Sequence, residues 1–247
     1  MRGSIPRPPT PSNGVPSRKS GGLAADPPKV PALPQTAPAL EPWFGSRLEG
    51  LGPFEPAPAL AVAVSGGVDS LTLLALTCRW ARARGGRVVA LCVNHGLRAA
   101  AAGEAARVQR QAEAWGAEGI ILTRPDRPPQ TSLQEEARIF RHAALEEACR
   151  ARGVLHLLLA HHQNDQAETV LERLARSSGP DGLAAMASIT HRPGVRLLRP
   201  FLDVPKTALV ATAHALGLSW DEDPSNQDPR FERARWRALA PPWPPRA

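Results

Sequence analysis

The sequence is poor in cysteine. Its 247 residues include only Cys78, Cys92 and Cys149, and no two of them form a C-x-x-C pair. This spacing argues against a disulfide scaffold, a structural zinc site and an iron–sulfur cluster. We expect the three side chains to be small core residues. Such scarce, unpaired thiols are typical of a reducing, cytoplasmic setting.

Long apolar segments are also missing. No run approaches the about 20 apolar residues of a transmembrane helix, and no signal-peptide apolar region precedes the first predicted strand. We therefore expect no membrane partner. The chain also lacks the sequence G-x-x-x-x-G-K-[ST], which excludes a Walker A phosphate loop.

Acidic residues are outnumbered. The chain has 30 Lys and Arg against 23 Asp and Glu, which gives a net charge of +7. This balance favours a polyanionic partner, nucleic acid ahead of membrane. A basic, GC-rich coding background is the alternative, because Arg is used far more than Lys. The length suits one α/β domain and leaves the oligomeric state open.

The N-terminal region has a different composition. About half of the 27 prolines lie in residues 1–58. Proline removes backbone donors and restricts φ, so we predict an extended, disordered tail that first touches the domain near Trp43 and Phe44. A basic arm, an over-called start codon and a transit peptide are the alternative interpretations. The predicted domain covers 59–240, and 241–247 form a short proline-rich end.

The rest of the chain is organised around residues 59–74. A continuous apolar run ends at Val64, which is typical of a strand buried on both faces, and a helix follows. The turn between them reads Ser65-Gly66-Gly67-Val68-Asp69-Ser70. Two glycines let the backbone turn tightly, and successive N–H groups at a helix N-terminus form an anion site. Asp69 would repel phosphate unless Mg²⁺ lies between them, which makes Asp69 the candidate metal ligand.

Strands and helices alternate regularly after this turn. The pattern predicts a doubly wound parallel α/β sheet, with further strands over 87–93, 119–123 and 154–160. Ligands bind at the carboxyl ends of such strands. Polar residues cluster at those ends, at 65–70, 94–98 and 161–168. Asn94 is well placed to contact a ribose or base. Arg98 is placed to contact a phosphate, and the alternative is that it is an ordinary loop arginine.

The segment His161–Thr169 follows a buried strand directly. Asp165 and Glu168 lie one turn apart at a helix start, so they can share a face. Acidic residues also favour a helix N-terminus by ordinary capping. Adjacent histidines diverge and no third ligand is evident, so substrate or phosphate contact is favoured over a histidine metal site.

Taken in order, these motifs resemble a known family. The motifs that carry the resemblance are S-G-G-V-D-S, N-H-G-L-R, Q-E-E-A-R-x-x-R, H-H-Q-N-D-Q-A-E-T, R-S-S-G-x-D-G-L-x-x-M, R-P-F-L and E-D-P-S-N-x-D-x-x-F-x-R. Through them the sequence over about 59–240 is similar to the tRNA(Ile)-lysidine synthetases. These are N-type ATP pyrophosphatases with a Rossmann-like fold of the adenine nucleotide alpha hydrolase type. Longer members add C-terminal tRNA-binding domains, so we expect a short form.

The resemblance implies a reaction and its residues. ATP and Mg²⁺ would adenylate the wobble cytidine of a CAU-anticodon tRNA(Ile), and free L-lysine would displace AMP. The implied catalytic residues are Asp69, Asp165, Glu168 and Arg138, with Asp165 or Glu168 as the acceptor of the lysine proton. The implied ATP-binding residues are Ser65, Gly66, Gly67, Val68, Asp69, Ser70, Asn94 and His95. The implied substrate-binding residues are Arg98, Arg141, His162, Gln166 and Arg176.

Three positions depart from the family pattern. Asn94 and Asn164 stand where Asp is usual, and Ser177 stands where Gly is usual. Loss of two charges weakens any role of these side chains in holding Mg²⁺ or an amine. The alternatives are therefore a non-catalytic tRNA-binding homologue and another tRNA-modifying enzyme of the same superfamily. A thiolase would need paired cysteines, and an amidotransferase a glutamine-hydrolysing domain.

Overall fold

The computed structural model describes residues 40–94, 101–124, 133–175 and 184–220, without the side chains of 101, 102 and 133–135. The helices are α1 (Leu40–Gly50), α2 (Val68–Arg82), α3 (Ala101–Ala114), α4 (Leu133–Ala151), α5 (Gln163–Ala175) and α6 (Lys206–Ala215). The strands are β1 (Ala59–Ala63), β2 (Arg87–Asn94), β3 (Glu118–Thr123), β4 (His156–Leu158), β5 (Ile189–Arg192) and β6 (Val195–Leu198).

The strands form one sheet in the order β3-β2-β1-β4-β6-β5. Pairings from β3 through to β6 are parallel, which confirms the predicted α/β class, whereas β5 pairs antiparallel with β6. Strand β5 was not predicted from the sequence. Its residues Ile189–Arg192 are partly exposed at the sheet edge, so they carry no buried-strand pattern. The Pro193-Gly194 turn, with Gly194 at φ +74°, was the available signal.

Both faces of the sheet are buried. Leu60 and Val62 of β1 pack with α2, α3 and α6 on the first face, whereas Ala61 packs with α4 on the second. This alternation explains the continuous apolar run in β1, since every side chain of the strand meets a helix. Val64 continues the first-face series directly into the glycine turn.

The cysteines are buried and free, as expected for core residues. Cys78 and Cys92 belong to the first face and Cys149 to the second. Burial raises the thiol pKa to about 12 for Cys78 and Cys149 and to about 11 for Cys92. These thiols therefore stay protonated and unreactive at neutral pH.

The predicted tail boundary is wrong for residues 40–58, which belong to the folded domain. Phe44 and Leu48 of α1 are completely buried, and the Phe44 ring lies 5.8 Å from that of Phe201. Arg47 pairs with Asp203 at 3.1 Å. The proline count misled the prediction, because it outweighed one short helix that buries only two side chains. Residues 1–39 and 241–247 lie outside the described residues.

A polar cluster around the buried His156 fastens the segment after α1 to the sheet. Arg196 donates hydrogen bonds of 2.9–3.0 Å to the carbonyls of Leu51, Gly52 and Pro53. His156 of β4 is 1% exposed, and its Nε2 lies 3.2 Å from a Glu55 oxygen. This cluster puts a titratable histidine at the centre of the sheet.

We expect stability to fall as the pH drops through 6.5. Burial lowers the pKa of His156 below 6.5, with Glu55 opposing the shift and Arg196 adding to it. Protonation therefore favours the unfolded chain, and the loss levels off below the folded-state pKa. Thermal unfolding at pH 7.5 and 5.5 should show a lower Tm at pH 5.5, by about 2–4 °C per kcal/mol lost.

His156→Gln should reduce this pH dependence, whereas His191→Gln, at an exposed strand position, should keep the wild-type dependence. Equal pH dependence in the wild type and His156→Gln would show that another group is responsible.

Candidate functional site

The fold places two loops at one edge of the sheet. From β1 the chain proceeds to β2 and β3 on one side, and α4 then returns it to β4 on the other side of β1. At such a switch point the loops leaving the carboxyl ends of neighbouring strands diverge and open a crevice. The loop 65–70 follows β1, and the segment 161–165 follows β4.

The loop after β1 is held by its own hydroxyl groups. Ser70 is buried, and its Oγ donates to the Gly67 carbonyl at 2.9 Å and accepts the Ser65 N–H at 3.1 Å. The two hydroxyl oxygens lie 3.2 Å apart. Because the Ser70 proton is directed to Gly67, Ser65 is the donor in that contact. Ser70 thus organises the loop, and Ser65 is the exposed hydroxyl.

Glycine is required at the loop's sharpest point. Gly66 has φ +88°, and a Cβ there would lie 3.2 Å from Val108 Cγ2 of α3. Gly67 is the N-cap residue of α2 and provides no side-chain cap. Since no side chain caps them, the first N–H groups of α2, beginning at buried Val68, remain able to bind an anion.

A cluster of charged side chains joins the two loops. Both Asp69 oxygens accept from the Lys206 ammonium, at 2.7 and 2.6 Å. His162 Nε2 lies 3.8 Å from Asp69 Oδ2 and 3.7 Å from Asp165 Oδ2. Asp69 and Asp165, predicted from separate motifs, therefore meet through one imidazole.

The hydrogen bonds of His162 determine its tautomer. Its Nδ1 accepts the Asn164 N–H at 3.2 Å, so the proton of the neutral ring lies on Nε2, facing the two carboxylates. Asp165 Oδ2 also accepts the backbone N–H of His162 at 2.9 Å. His162 is 6% exposed and is held on both sides. Asn164 donates this bond from its backbone, so an asparagine serves as well as an aspartate, and its side-chain oxygen accepts the Lys206 backbone N–H at 3.4 Å.

Two other residues of α5 differ in surroundings. Glu168 is buried, at 6% exposure, one turn beyond Asp165. Gln166 pairs with both main-chain groups of Met186, donating to its carbonyl at 3.0 Å and accepting its N–H at 2.7 Å. Gln166 therefore anchors the segment before β5 to α5, and its predicted contact with substrate stays a prediction.

The other predicted residues that the structure describes lie on β2 and α4. Asn94 ends β2 beside Thr123 of β3. Arg138 and Arg141 are exposed on α4, on the second face of the sheet, and both lower the pKa of His142, in addition to the larger effect of its burial. Arg138 also lowers the pKa of Arg199, which burial lowers most. His95, Arg98 and Arg176 lie outside the described residues.

Sequence reasoning missed Lys206. The signal was its position: it is the first residue of α6, after Pro205 at the N-cap. A cation is disfavoured at the positive end of a helix dipole, so a lysine there indicates an anionic partner. Within the described ranges no group of three or more His, Cys, Asp or Glu side chains is placed to hold a metal ion. A metal here would need ligands from a bound substrate.

The family model of the PP-loop domain matches residues 43–242. The chain belongs to the PP-loop family. PP-loop membership supports ATP as the ligand of the loop 65–70, and the match includes α1 from residue 43 onward, in agreement with the corrected boundary.

Several curated relatives carry one name. The chain is 48% identical over 187 residues to the tRNA(Ile)-lysidine synthase of Bradyrhizobium diazoefficiens, covering 75% of this chain and 52% of that protein. It is 47% identical over 187 residues to that of Rhodopseudomonas palustris, covering 75% and 54%. It is 47% identical to that of Bordetella bronchiseptica over 195 residues, 76% of this chain and 56% of that protein. The chain spans about half the length of these relatives.

A solved structure supports the fold of this PP-loop domain. The U34-tRNA thiolase NcsA from Methanococcus maripaludis, solved with its [4Fe-4S] cluster, matches with a TM-score of 0.65 at 19% identity, covering 80% of this chain and 70% of that one. The three cysteines here lie on two faces of the sheet and cannot share such a cluster. None of the helices in the described part of the chain is long and apolar enough to cross a membrane.

We expect Gly66→Ala to weaken ATP binding about tenfold, about 1.4 kcal/mol, because the new Cβ crowds Val108 and shifts the loop. The positive φ should also cost about 1–2 kcal/mol of stability. Gly85→Ala is the matched control, since Gly85 has φ +63° with open space around it at the far end of α2. Calorimetric ATP titration and urea unfolding of both variants measure these effects. Equal ATP affinities in the two variants would contradict the role of Gly66.

Proposed function

We propose that this PP-loop protein ligates free lysine to the wobble cytidine of CAU-anticodon tRNA(Ile), forming lysidine. ATP first adenylates the cytidine and releases pyrophosphate, and the lysine ε-amine then displaces AMP. The observation that carries the proposal is the contact of the PP loop with the acidic start of α5 through His162. A ligase that uses ATP and an amine needs its nucleotide loop and its amine-binding carboxylates in one crevice. Relatives named for this activity support it.

In this proposal the PP loop binds and orients the triphosphate. The first N–H groups of α2 donate to phosphate oxygens, the exposed Ser65 hydroxyl turns its proton from Ser70 Oγ to a phosphate oxygen when ATP binds, and Ser70 keeps the loop in shape. His162 presents its Nε2 proton to Asp69 and Asp165 and so holds the two carboxylates in one crevice.

The proposal includes Mg²⁺, and the residues fit it. The Asp69 carboxylate already holds one cation, the Lys206 ammonium, with both oxygens, and oxygen ligands are those that Mg²⁺ prefers. Mg²⁺ is commonly held by one or two carboxylates together with substrate phosphates, which agrees with a single contributed carboxylate, Asp69. When bound, the ion would neutralise charge on the phosphates.

The lysine ammonium must lose a proton before it attacks. We assign Asp165 as the acceptor, because its carboxylate is the one joined to the PP loop through His162, whereas Glu168 lies deeper in α5. Glu168 would hold the ammonium during binding. The arginines of α4 would contact tRNA phosphates, in keeping with the net charge of +7. A cytoplasmic reaction fits the unpaired cysteines.

The direct test is incorporation of labelled lysine into a CAU-anticodon tRNA(Ile) transcript by the full chain with ATP and Mg²⁺. The proposal expects incorporation that requires both ATP and tRNA. Binding of the transcript without incorporation of lysine would favour the alternative that Asn94 and Asn164 suggest, a non-catalytic tRNA-binding homologue.

A further inference from the structure

A cation from another helix pairs with the carboxylate of the PP loop. The sequence from Ser65 to Ser70 contains no basic side chain and one carboxylate. A triphosphate on this loop would therefore meet a negative charge at Asp69. Lys206, at the start of α6, places its ammonium 2.6–2.7 Å from both Asp69 oxygens and so neutralises that charge.

Lys206 and a metal ion compete for the same atoms. The ammonium engages both carboxylate oxygens of Asp69, which is the ligand expected to hold Mg²⁺. A metal ion cannot bind these oxygens while the ammonium occupies both of them, because the two positive charges repel each other at this distance. Metal loading at Asp69 thus requires the lysine side chain to move away from at least one oxygen.

The side chain can move while its helix stays in place. Leu209 and Ala213 of α6 are completely buried against the first face, whereas the Lys206 side chain is 38% exposed. Its four-carbon stem is flexible, and the helix N-terminus disfavours a cation that has lost its anionic partner. The nearest new anion would be the triphosphate bound on the adjoining loop.

We propose that Lys206 is the exchangeable counter-cation of the PP loop. It neutralises Asp69 before the nucleotide binds, yields the carboxylate to Mg²⁺, and then donates to phosphate oxygens of ATP. Lys206 is thereby a substrate-binding residue supplied by α6, in place of the lysine that Walker A loops carry within their own sequence. This inference rests on the ATP and Mg²⁺ of the proposed function.

The test compares the full-length wild type with Lys206→Met and Lys206→Arg. Mn²⁺ stands in for Mg²⁺ and is titrated without nucleotide by electron paramagnetic resonance. Lys206→Met removes the competing cation, so its Mn²⁺ affinity should rise about tenfold. Lys206→Arg keeps the charge in a bidentate form, so its Mn²⁺ affinity should equal or fall below that of the wild type.

Calorimetric titration with Mg–ATP should give the opposite order. Lys206→Met should bind Mg–ATP about tenfold more weakly than the wild type, because a charged donor to phosphate is lost, and Lys206→Arg should retain most of the affinity. A merely structural lysine would change both affinities in the same direction or neither. Unchanged or weaker Mn²⁺ binding in Lys206→Met, or unchanged Mg–ATP binding, would overturn the exchange.

The two proposals fail in distinguishable ways. A wild type that binds Mg–ATP and shows the opposed order, yet transfers no lysine, would refute only the lysidine reaction. A wild type that transfers lysine without the opposed order would refute only the role of Lys206.

Discussion

Asp69→Asn should reduce lysine transfer by about a thousandfold and leave the fold intact. Asparagine has nearly the same shape, but it removes the charge that holds Lys206 and, in our proposal, Mg²⁺. Loss of about 4 kcal/mol of charge stabilisation at the phosphates corresponds to this factor. Because Asp69 is part-exposed, the stability cost of the lost ion pair should be small. Pyrophosphate release, lysine incorporation and thermal unfolding of the purified variant measure the three effects.

Asp203→Asn is the matched control for this experiment. The Asp203 carboxylate also forms an ion pair near α6, with Arg47 at 3.1 Å, but it is 71% exposed and its partner lies on α1 rather than on the PP loop. Its loss should leave lysine transfer unchanged. Comparable activity in Asp69→Asn and the wild type would remove Asp69 from the mechanism and, with it, the metal assignment.

Asp165→Asn should separate the two halves of the reaction. The side-chain carbonyl of asparagine can still accept the backbone N–H of His162, which Asp165 accepts at 2.9 Å, so the start of α5 should keep its shape. The amide cannot take a proton from lysine. We therefore expect lysine transfer to fall by about 10²–10⁴-fold, while tRNA-dependent pyrophosphate release stays within a few fold of the wild type.

The pH profile identifies the cause of this loss. Without an internal acceptor, transfer depends on lysine that is already unprotonated, so the rate of Asp165→Asn should rise with pH toward about 10, near the amine pKa. Glu168→Gln, one turn further along α5, should weaken lysine binding and keep the wild-type profile. Equal loss of pyrophosphate release and lysine transfer in Asp165→Asn would instead place Asp165 in the adenylation step.

The sequence predicted the parts of the fold whose signals are local. The buried strand, the two glycines and the following helix lie within residues 59–82, and the chain order of strands and helices implied the parallel sheet that brings the loop ends together. Asp69 and Asp165 could therefore be predicted to meet. The imidazole between them depends on a hydrogen bond from Asn164, which no pattern in the sequence reports.

The features that were missed depend on contacts between distant residues. α1 is short, and it is stabilised by burial of Phe44 beneath Phe201 rather than by its own sequence. Lys206 lies 137 residues from Asp69, so only the packing of α6 on α2 brings them together. The hydrogen bonds between the Gln166 amide and Met186, 20 residues further along the chain, were likewise not predicted.

The measurement that tests the central claim most directly is tRNA-dependent pyrophosphate release by the full chain, with and without lysine. The transcripts are tRNA(Ile) with a CAU anticodon and the same tRNA with UAU. Our account predicts release with ATP, Mg²⁺ and the CAU transcript even without lysine, because adenylation precedes the amine, and little release with UAU. Release that needs no tRNA, or that fails with CAU although the transcript binds, would contradict it.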